Sequence, residues 1–458
     1  MPRAFTRKPH ANDTASEGAD GRLRPPHCPQ EKTRVRLPRP GGLWVNPDFV
    51  KLWAGQTVSV FGSLISRAAL SFTAVLLLGA TPRHIALLNA ADLVPGLLFG
   101  LFAGVWVDRL ARRPILIGCD VGRALLLASI PVAALWGRLT ITHLAVVAFL
   151  GGALTVLFDV AYAAYLPSLV QSDELVEGNS KLTASASVAE FGASSLSGWL
   201  VQWVGGPLAA LVDAASFVAS ALFLGSTRLP EKQEMVPGPD VNDDLVLGVS
   251  LRAQIVEGLR TVWHDPRLRA LALGQSALDL LSRIVGTVYL VFVTKTLGFS
   301  PGVLGMIFAV GGVTSLLGAL FAGRVTKRFG VGNTLIGGLI VTSIGSLFSP
   351  LAPGATLLGA AFLLLNQVVT DPAWTVFEIN ATSLRQAVTP DALRGRVNGT
   401  LRVLSLGMAL VGTLAGGVLG ETLGVRAALG VGVCGGFVAA LFVFFSPLRS
   451  LRTMPGGD

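Results

Sequence analysis

Charge is what this chain has least of. Only 14% of its 458 residues are Asp, Glu, Lys or Arg, while 52% are hydrophobic and the mean hydropathy is +0.64. Soluble domains carry about 25% charged residues, so a water-solvated globule is excluded. Cysteine is equally scarce: Cys28, Cys119 and Cys434 lie far apart with no C-x-x-C, which offers neither a disulfide framework nor a metal site. There are five histidines, no Walker loop and no H-E-x-x-H, which excludes an ATP-driven pump and a zinc hydrolase. The expectation is a protein that is not an enzyme and holds no cofactor. The net charge of +9 does not point to nucleic acid, because the basic residues cluster between apolar stretches.

Runs of about 20 apolar residues, the length that crosses a bilayer, recur along the whole chain. They are too continuously apolar for the alternating strands of a barrel, and in hydrocarbon only helices or closed barrels satisfy the backbone. The reading is an all-α polytopic membrane protein with twelve transmembrane helices in two pseudo-symmetric six-helix bundles. The expected spans are 49–77, 84–107, 114–136, 143–166, 182–203 and 206–226, then 268–296, 303–323, 332–349, 356–382, 397–420 and 425–446. The expected domains are a disordered basic arm (1–48), an N-terminal bundle (49–226), a linker (227–267), a C-terminal bundle (268–447) and a tail (448–458). In the linker, Leu251, Ile255, Leu259 and Val262 recur at helical spacing, as in an amphipathic helix lying on a membrane surface.

With the amino terminus placed in the cytoplasm, 28 Lys and Arg fall in cytoplasmic segments, four outside and four within spans. The positive-inside rule therefore puts both termini in the cytoplasm. An internal repeat runs through the chain. A shift of 219 residues lays LFAG (101–104) on LFAG (320–323), Gly55-Gln56 on Gly274-Gln275 and Arg109 on Arg328, and a shift of 218 lays SDEL (172–175) on PDAL (390–393). Two units in the same orientation are the layout of parallel-repeat transporters, which enclose a cavity. Small residues four apart, at Gly96-Gly100-Gly104, Ser315-Ala319-Gly323 and Gly412-Gly416-Gly420, predict close helix approach.

An ionisable side chain at the bilayer centre costs about 2.5 to 3.5 kcal/mol on insertion scales, so each needs a partner or a wet cavity. The inventory is Arg67, Asp92, Asp120, Arg123, Asp159, Glu190, Asp213, Asp279, Arg283 and Asp371. Similar depth predicts an Arg67–Asp92 pair. Asp279 and Arg283, four apart with the acid first, are expected to neutralise each other. Asp120 and Arg123 are expected to support the charged loop after span 2, and Asp213 to bond a neighbouring helix.

Several segments resemble a known family. Gly104-x-x-x-Asp108-Arg109-x-Ala111-Arg112-Arg113 resembles the loop 2-3 signature of the major facilitator superfamily, with Ala111 where glycine is usual, and GRVTKRFG (323–330) resembles its second copy. FDVAYAAYLPSLV (158–170), LVDAASFVASAL (211–222) and SLRQAVTPDALRGRVNG (383–399) are similar to the branch of enterobactin-type siderophore exporters and macrolide or multidrug efflux proteins. The resemblance covers about residues 49–447. Two features differ from many antiporters of the superfamily: span 4 holds no arginine, and Gly192-Ala193 stands where span 5 has Gly-Pro.

The resemblance implies rigid-body alternating access and proton-driven export from a bacterial cytoplasmic (inner) membrane by a monomer. Its partners would be a small-molecule substrate, protons and the lipid bilayer. It also implies that spans 1, 4, 7 and 10 line the cavity, which points to Arg67, Asp159, Asp279, Arg283 and Asp371, joined by Asp92 and Glu190. Asp159 and Asp371 show no obvious basic neighbour in the sequence and are the candidate proton carriers, while Trp374, with Phe377, offers an aromatic wall to a substrate.

A gating set is implied as well: Gly104, Asp108, Arg109, Arg112 and Arg113, with Gly323, Lys327, Arg328, Arg394 and Arg396 in the second half. In it Asp108 would accept hydrogen bonds from the start of span 11, and the arginines would pair with acids of their own bundle. A nutrient importer on the same fold, or a membrane sensor that moves no solute, also accommodates these residues.

Overall fold

The computed structural model describes residues 42–100, 103–108, 110–171, 174–227, 256–389 and 393–454. The N-terminal arm, Arg109, most of the linker with Leu251 and Ile255, and part of each SDEL/PDAL loop lie outside the described residues, as do the side chains of Asp108 and Arg394. Among the described residues every regular element is helical.

Helix starts are set by local sequence. Asn46 accepts hydrogen bonds from the Asp48 and Phe49 N–H groups, and Pro47 at the first helical position opens α1 (Pro47–Phe72). Asp265 and Pro266 repeat the device at the start of α9 (Pro266–Val291), 219 positions later. Both helices run on into a π turn, Thr73–Leu77 and Phe292–Thr296, at the same offset. The first half continues as α2 (Pro82–Phe99), α3 (Ala103–Asp108), α4 (Arg112–Leu135), α5 (Ile141–Leu169), α6 (Leu175–Val204) and α7 (Gly206–Gly225). A helical segment at 256–264, α8, precedes α9. The second half follows as α10 (Pro301–Phe329), α11 (Val331–Ser346), α12 (Phe348–Leu351), α13 (Leu357–Val388), α14 (Arg394–Thr422) and α15 (Val425–Phe444). Gly205 and Gly424, again 219 apart, take φ of 83° and 84° at the sharp turns into α7 and α15.

Nine helical stretches among the described residues are long and apolar enough to cross a membrane. α6 and α13 do not meet that test because polar side chains interrupt them, and α2 is described over only 18 residues; these are helices that meet the partner half or line cavities. Packing repeats as the sequence does: α1 lies on α6 and α7 as α9 lies on α14 and α15, and α2 lies on α5 as α10 lies on α13. Between halves, α2 packs on α14 and α10 on α6, the same contact taken twice.

The apolar core divides unevenly along the helix axes. Take the near face as the end where α1 begins. At the far face one cluster joins the halves, with Ala69, Phe72 and Val201 packed with Phe292, Leu304 and Leu429. At the near face each half keeps its own core, around Phe49, Leu116 and Tyr165 in the first and Leu335, Leu384 and Val443 in the second. Among the described residues the halves therefore share a buried core at the far end and keep separate ones at the near end.

Close helix approach is only partly where the small-residue spacing places it. Gly412, Gly416 and Gly420 face Leu280, Ile284 and Val288 of α9, with no room for a β-carbon. Gly104 and Gly323 have open space, and Gly100 meets only its own helix, so those positions are not the packing seams expected. In α10 the tight contact is one residue earlier, where Gly318 abuts the Pro372 backbone.

α8 presses Gly258 on Arg396 and Thr400 of α14 and buries Val262 with Ala272 and Val397. Leu259 stays exposed. The expected amphipathic helix thus turns Val262 to protein rather than to a membrane surface.

Candidate functional site

Three cavities hold most of the intramembrane polar side chains. The largest, about 800 Å³, lies between the halves, walled by α1 and α6 on one side and α10 and α13 on the other. Its lining is mainly apolar, with Trp374 and Phe308 among the walls, and it carries two acids, Glu190 and Asp371. The Trp374 ring sits 5.5 Å from Phe377, but Phe377 itself is buried in the second-half core. The aromatic wall expected from the sequence is therefore Trp374 alone. Among the described residues Asp371 has no ionic partner, and one carboxylate oxygen lies against Gly311 of α10, where a β-carbon would collide with it.

Asp92 and Asp371 occupy the same helix crossing in the two halves, on opposite helices. The repeat places Asp92 over Gly311 and Gly152 over Asp371. Gly152 of α5 packs on the Asp92 backbone as Gly311 packs on Asp371. Each half thus holds one acid opposite one glycine, with the order exchanged. Neither composition nor depth reveals this, although the 219-residue register does once the contact is known.

A second cavity, about 350 Å³, is lined by Arg67, Asp92, Arg123, Asp213 and Phe217 of the first half and by Arg283 of the second. Arg67 and Asp92 come into one cavity but form no direct ion pair among the described residues, and Asp92 feels the charge of both Arg67 and Arg283. The Asp279–Arg283 couple is likewise not formed. Asp279 accepts from Ser405 Oγ of α14 at 2.5 Å and from Gln275 Nε2 at 3.2 Å, leaving Arg283 turned to the cavity. One hydroxyl and one amide satisfy that acid, so its helical spacing to Arg283 decides nothing.

Arg123 pairs with Asp120 at 2.6 Å and sits between the Phe158 and Phe217 rings, 4.4 and 4.1 Å away. This couple is fixed inside the first bundle, where the cationic face finds two aromatic rings, and Arg109 and the Asp108 side chain, which it was expected to support, lie outside the described residues. Asp213 accepts from Ser66 Oγ at 2.5 Å, Ser216 at 2.9 Å and Ser63 at 3.4 Å, and so ties α7 to α1.

The third cavity, about 340 Å³, lies inside the second half towards the near face and includes Gln275, Arg385, Asn398, Arg402 and Ser405. Arg385 and Arg402 are absent from the sequence inventory. Arg402 lies eight positions into α14 and already inside the expected span 397–420, so the inventory should have held it. Asp159, expected to lack a basic neighbour, is within electrostatic reach of both Arg123 and Arg402, the latter from the other half.

Within the gating set Arg113 departs from its implied pairing. Arg112 donates to the Ala164 carbonyl of α5 at 3.0 Å, and Arg113 to the Leu224 carbonyl at 3.0 Å and to that of Gly225, ending α7. Arginine at a helix C-terminus answers unsatisfied carbonyls, so Arg113 takes a helix end in place of an acid. Lys327 and Arg328 are exposed, with Arg328 over the Phe329 ring at 5.7 Å. Arg396 pairs with Glu257 of α8. The pairing of Asp108, Arg109 and Arg394 lies outside the described side chains.

The far face is sealed by contacts the sequence does not announce. Glu421 of α14 takes Arg83 at 3.3 Å and the Thr81 hydroxyl at 2.8 Å. Lys295 donates to the Ala80 carbonyl at 2.9 Å, and the Gly302 N–H donates to Gln202 at 2.7 Å. Every one of these joins one half to the other.

Comparison with known proteins places this geometry in context. The family profile described as transmembrane secretion effector matches residues 44–455. The chain is 26% identical to the multidrug efflux pump Tap of Mycolicibacterium fortuitum over 344 residues, 74% of this chain and 80% of that protein. It is 25% identical to macrolide efflux protein A of Streptococcus pyogenes over 195 residues, 42% of this chain and 48% of that protein. Among solved structures, a bacterial homologue of the iron transporter ferroportin in its inward-facing state superposes with a TM-score of 0.68 at 17% identity, covering 88% of this chain and 98% of that one. That likeness establishes the shared fold.

Proposed function

The chain belongs to the transmembrane secretion effector family of the major facilitator superfamily, and from that premise we propose that it is a proton-coupled exporter of a drug-like, macrolide-like or siderophore-like molecule. It is a multi-pass membrane protein of secondary-transporter type. In this reading the near face is cytoplasmic, which the 28 to four distribution of basic residues supports, and the twelve spans are the nine apolar stretches with α2, α6 and α13.

One observation carries the proposal. Among the described residues the core shared by the two halves lies at the far face, while a mainly apolar cavity of about 800 Å³ with two acids lies between them. Such a vessel, shut on the outside, takes an amphiphilic solute from the cytoplasm or the inner leaflet. Rocking the halves about the cavity then carries the solute across. Asp371, in that cavity without an ionic partner, is the acid we assign to the coupling proton, and Asp159 is the second candidate. One proton moving through about 100 mV supplies about 2.3 kcal/mol, enough to hold a neutral solute at about a fifty-fold gradient.

The test is antibiotic, macrolide and siderophore sensitivity of a strain lacking the gene, complemented by the wild type or by the Asp159→Asn or Asp371→Asn form. Restored resistance with the wild type and its loss in Asp371→Asn supports the reading. Net uptake of a labelled solute, or no flux in proteoliposomes under an imposed pH gradient, overturns it.

A further inference from the structure

Two guanidinium groups, one from each half, open onto the second cavity with no direct ion pair among the described residues, the nearest opposite charges being Asp92, in the field of both, and Asp279, in that of Arg283. Arg67 is on α1 and Arg283 on α9, and neither has an ion-pair or side-chain hydrogen-bond partner among the described residues. Of the three other charged groups of that cavity, two are held by neighbours. Arg123 is held by Asp120, and Asp213 by three serine hydroxyls. Asp92 lies in the field of both free arginines but is bonded to neither, and Asp279 is taken by Ser405 and Gln275. An arginine at membrane depth that has shed its sequence-expected acid needs an occupant or water.

We infer that Arg67 and Arg283 form a binding site for an anionic group of the substrate, a carboxylate or an oxyanion of like shape. Guanidinium presents a planar fork of donors that matches a carboxylate, and the cavity of about 350 Å³ accommodates an aryl acid. The aromatic ring of Phe217 and the apolar side chains of Leu88 and Leu127 supply the wall for the rest of the molecule. A ligand held by both arginines bridges the two halves, so its arrival couples to their relative position. Asp92 is the competing charge in the same space. This deepens the exporter reading by naming a substrate class, and it rests on that reading for transport but not for binding.

The experiment is equilibrium binding to the purified full-length protein in lipid nanodiscs, read by thermal stabilisation at constant pH and ionic strength. The probes are salicylate and its neutral counterpart salicylamide. The wild type is expected to bind salicylate at least ten-fold more tightly than salicylamide. Arg67→Gln and Arg283→Gln each abolish that preference, Arg67→Lys keeps part of it, and Asp92→Asn strengthens salicylate several-fold. Equal binding of the two probes by the wild type overturns the inference without any variant having to fold, as does a preference that survives both glutamine substitutions. Because the readout is binding, its failure is distinct from an absence of flux, which tests the exporter reading.

Discussion

Gly198 of α6 and Gly417 of α14 stand 219 positions apart, and each presses against the first turns of a helix in the opposite half. Gly198 abuts Pro301 and Gly305 of α10, while Gly417 abuts Pro82 and Ala86 of α2. Those four partners are themselves repeat mates. The far-face seam is thus one glycine contact made twice about a pseudo-two-fold axis, and it determines how tightly that face closes.

A branched side chain at either glycine should therefore open the seam. Gly198→Val or Gly417→Val adds atoms where the partner backbone already lies, an overpacking that costs about 1 to 3 kcal/mol. The expected outcome is a ten-fold or greater loss of transport and a shift towards a far-open state. Spin-label distances between the far ends of α2 and α14 measure it, and distances identical to wild type would remove the seam from the mechanism.

The exposed ionic part of the same seal should matter much less. Arg83 is 70% exposed beside Glu421, and surface pairs of this kind contribute about 0 to 1 kcal/mol. Glu421→Gln is expected to change the transport rate by no more than several-fold, with most of the difference disappearing in high salt. A complete loss of transport would show that Glu421 does more than close the face.

The Asp120–Arg123 couple is the opposite case, since both side chains are buried. Removing one partner strands a charge, which costs about 3 to 5 kcal/mol. Arg123→Met alone should lower the melting temperature markedly, and Asp120→Leu combined with Arg123→Met should recover most of that loss. Thermal unfolding of the detergent-solubilised protein distinguishes this from a purely packing role of Arg123, in which the double variant would melt as low as the single one.

At the near face, Glu177 in the first turn of α6 accepts the Leu43 N–H and pairs with Lys181 at 3.1 Å, while Lys181 covers the Trp44 ring. The Leu43 N–H first, and then Lys181, hold the Glu177 carboxyl below its ordinary range. A depressed acid contributes stability that is present above its unfolded value, about 4.3, and is lost as pH falls through the folded value. Protection of the Leu43 amide against hydrogen exchange, corrected for intrinsic rate, should drop below about pH 4 and become insensitive to pH in Glu177→Gln. Protection in the wild type that does not change with pH would exclude Glu177 as its source.

The proton role proposed for Asp371 has its own signature. Asp371→Asn should abolish efflux driven by a pH gradient while solute exchange at equal pH persists. If both measurements fall together, Asp371 binds solute and does not carry the proton.

Much of this was legible without coordinates. Membrane character, helical class and the repeat follow from apolar run length, a fixed offset and the scarcity of charge, whereas a cavity for Arg67, Asp92 and Arg283 came from the family resemblance. Pair identities did not follow. Asp279 and Arg283 have ideal helical spacing, yet Ser405, 126 positions away, takes the acid. Asp120 and Arg123 have similar spacing and do pair. Spacing gives proximity along one helix, whereas the partner is chosen by what the neighbouring helix presents.

The sequence by itself determined the lipid solvent, the helices that lipid demands and the doubling of one six-helix plan, because hydrocarbon penalises every unpaired backbone group and the repeat is written in the residues. Only the tertiary structure decided which face is shut, where Gly198 and Gly417 meet the opposite half, and that Arg67 and Arg283 share one cavity without an acid bound to either. Those outcomes depend on distances between helices remote in the chain, where a hydroxyl, an amide or a missing β-carbon outweighs the charge pattern read along any single helix.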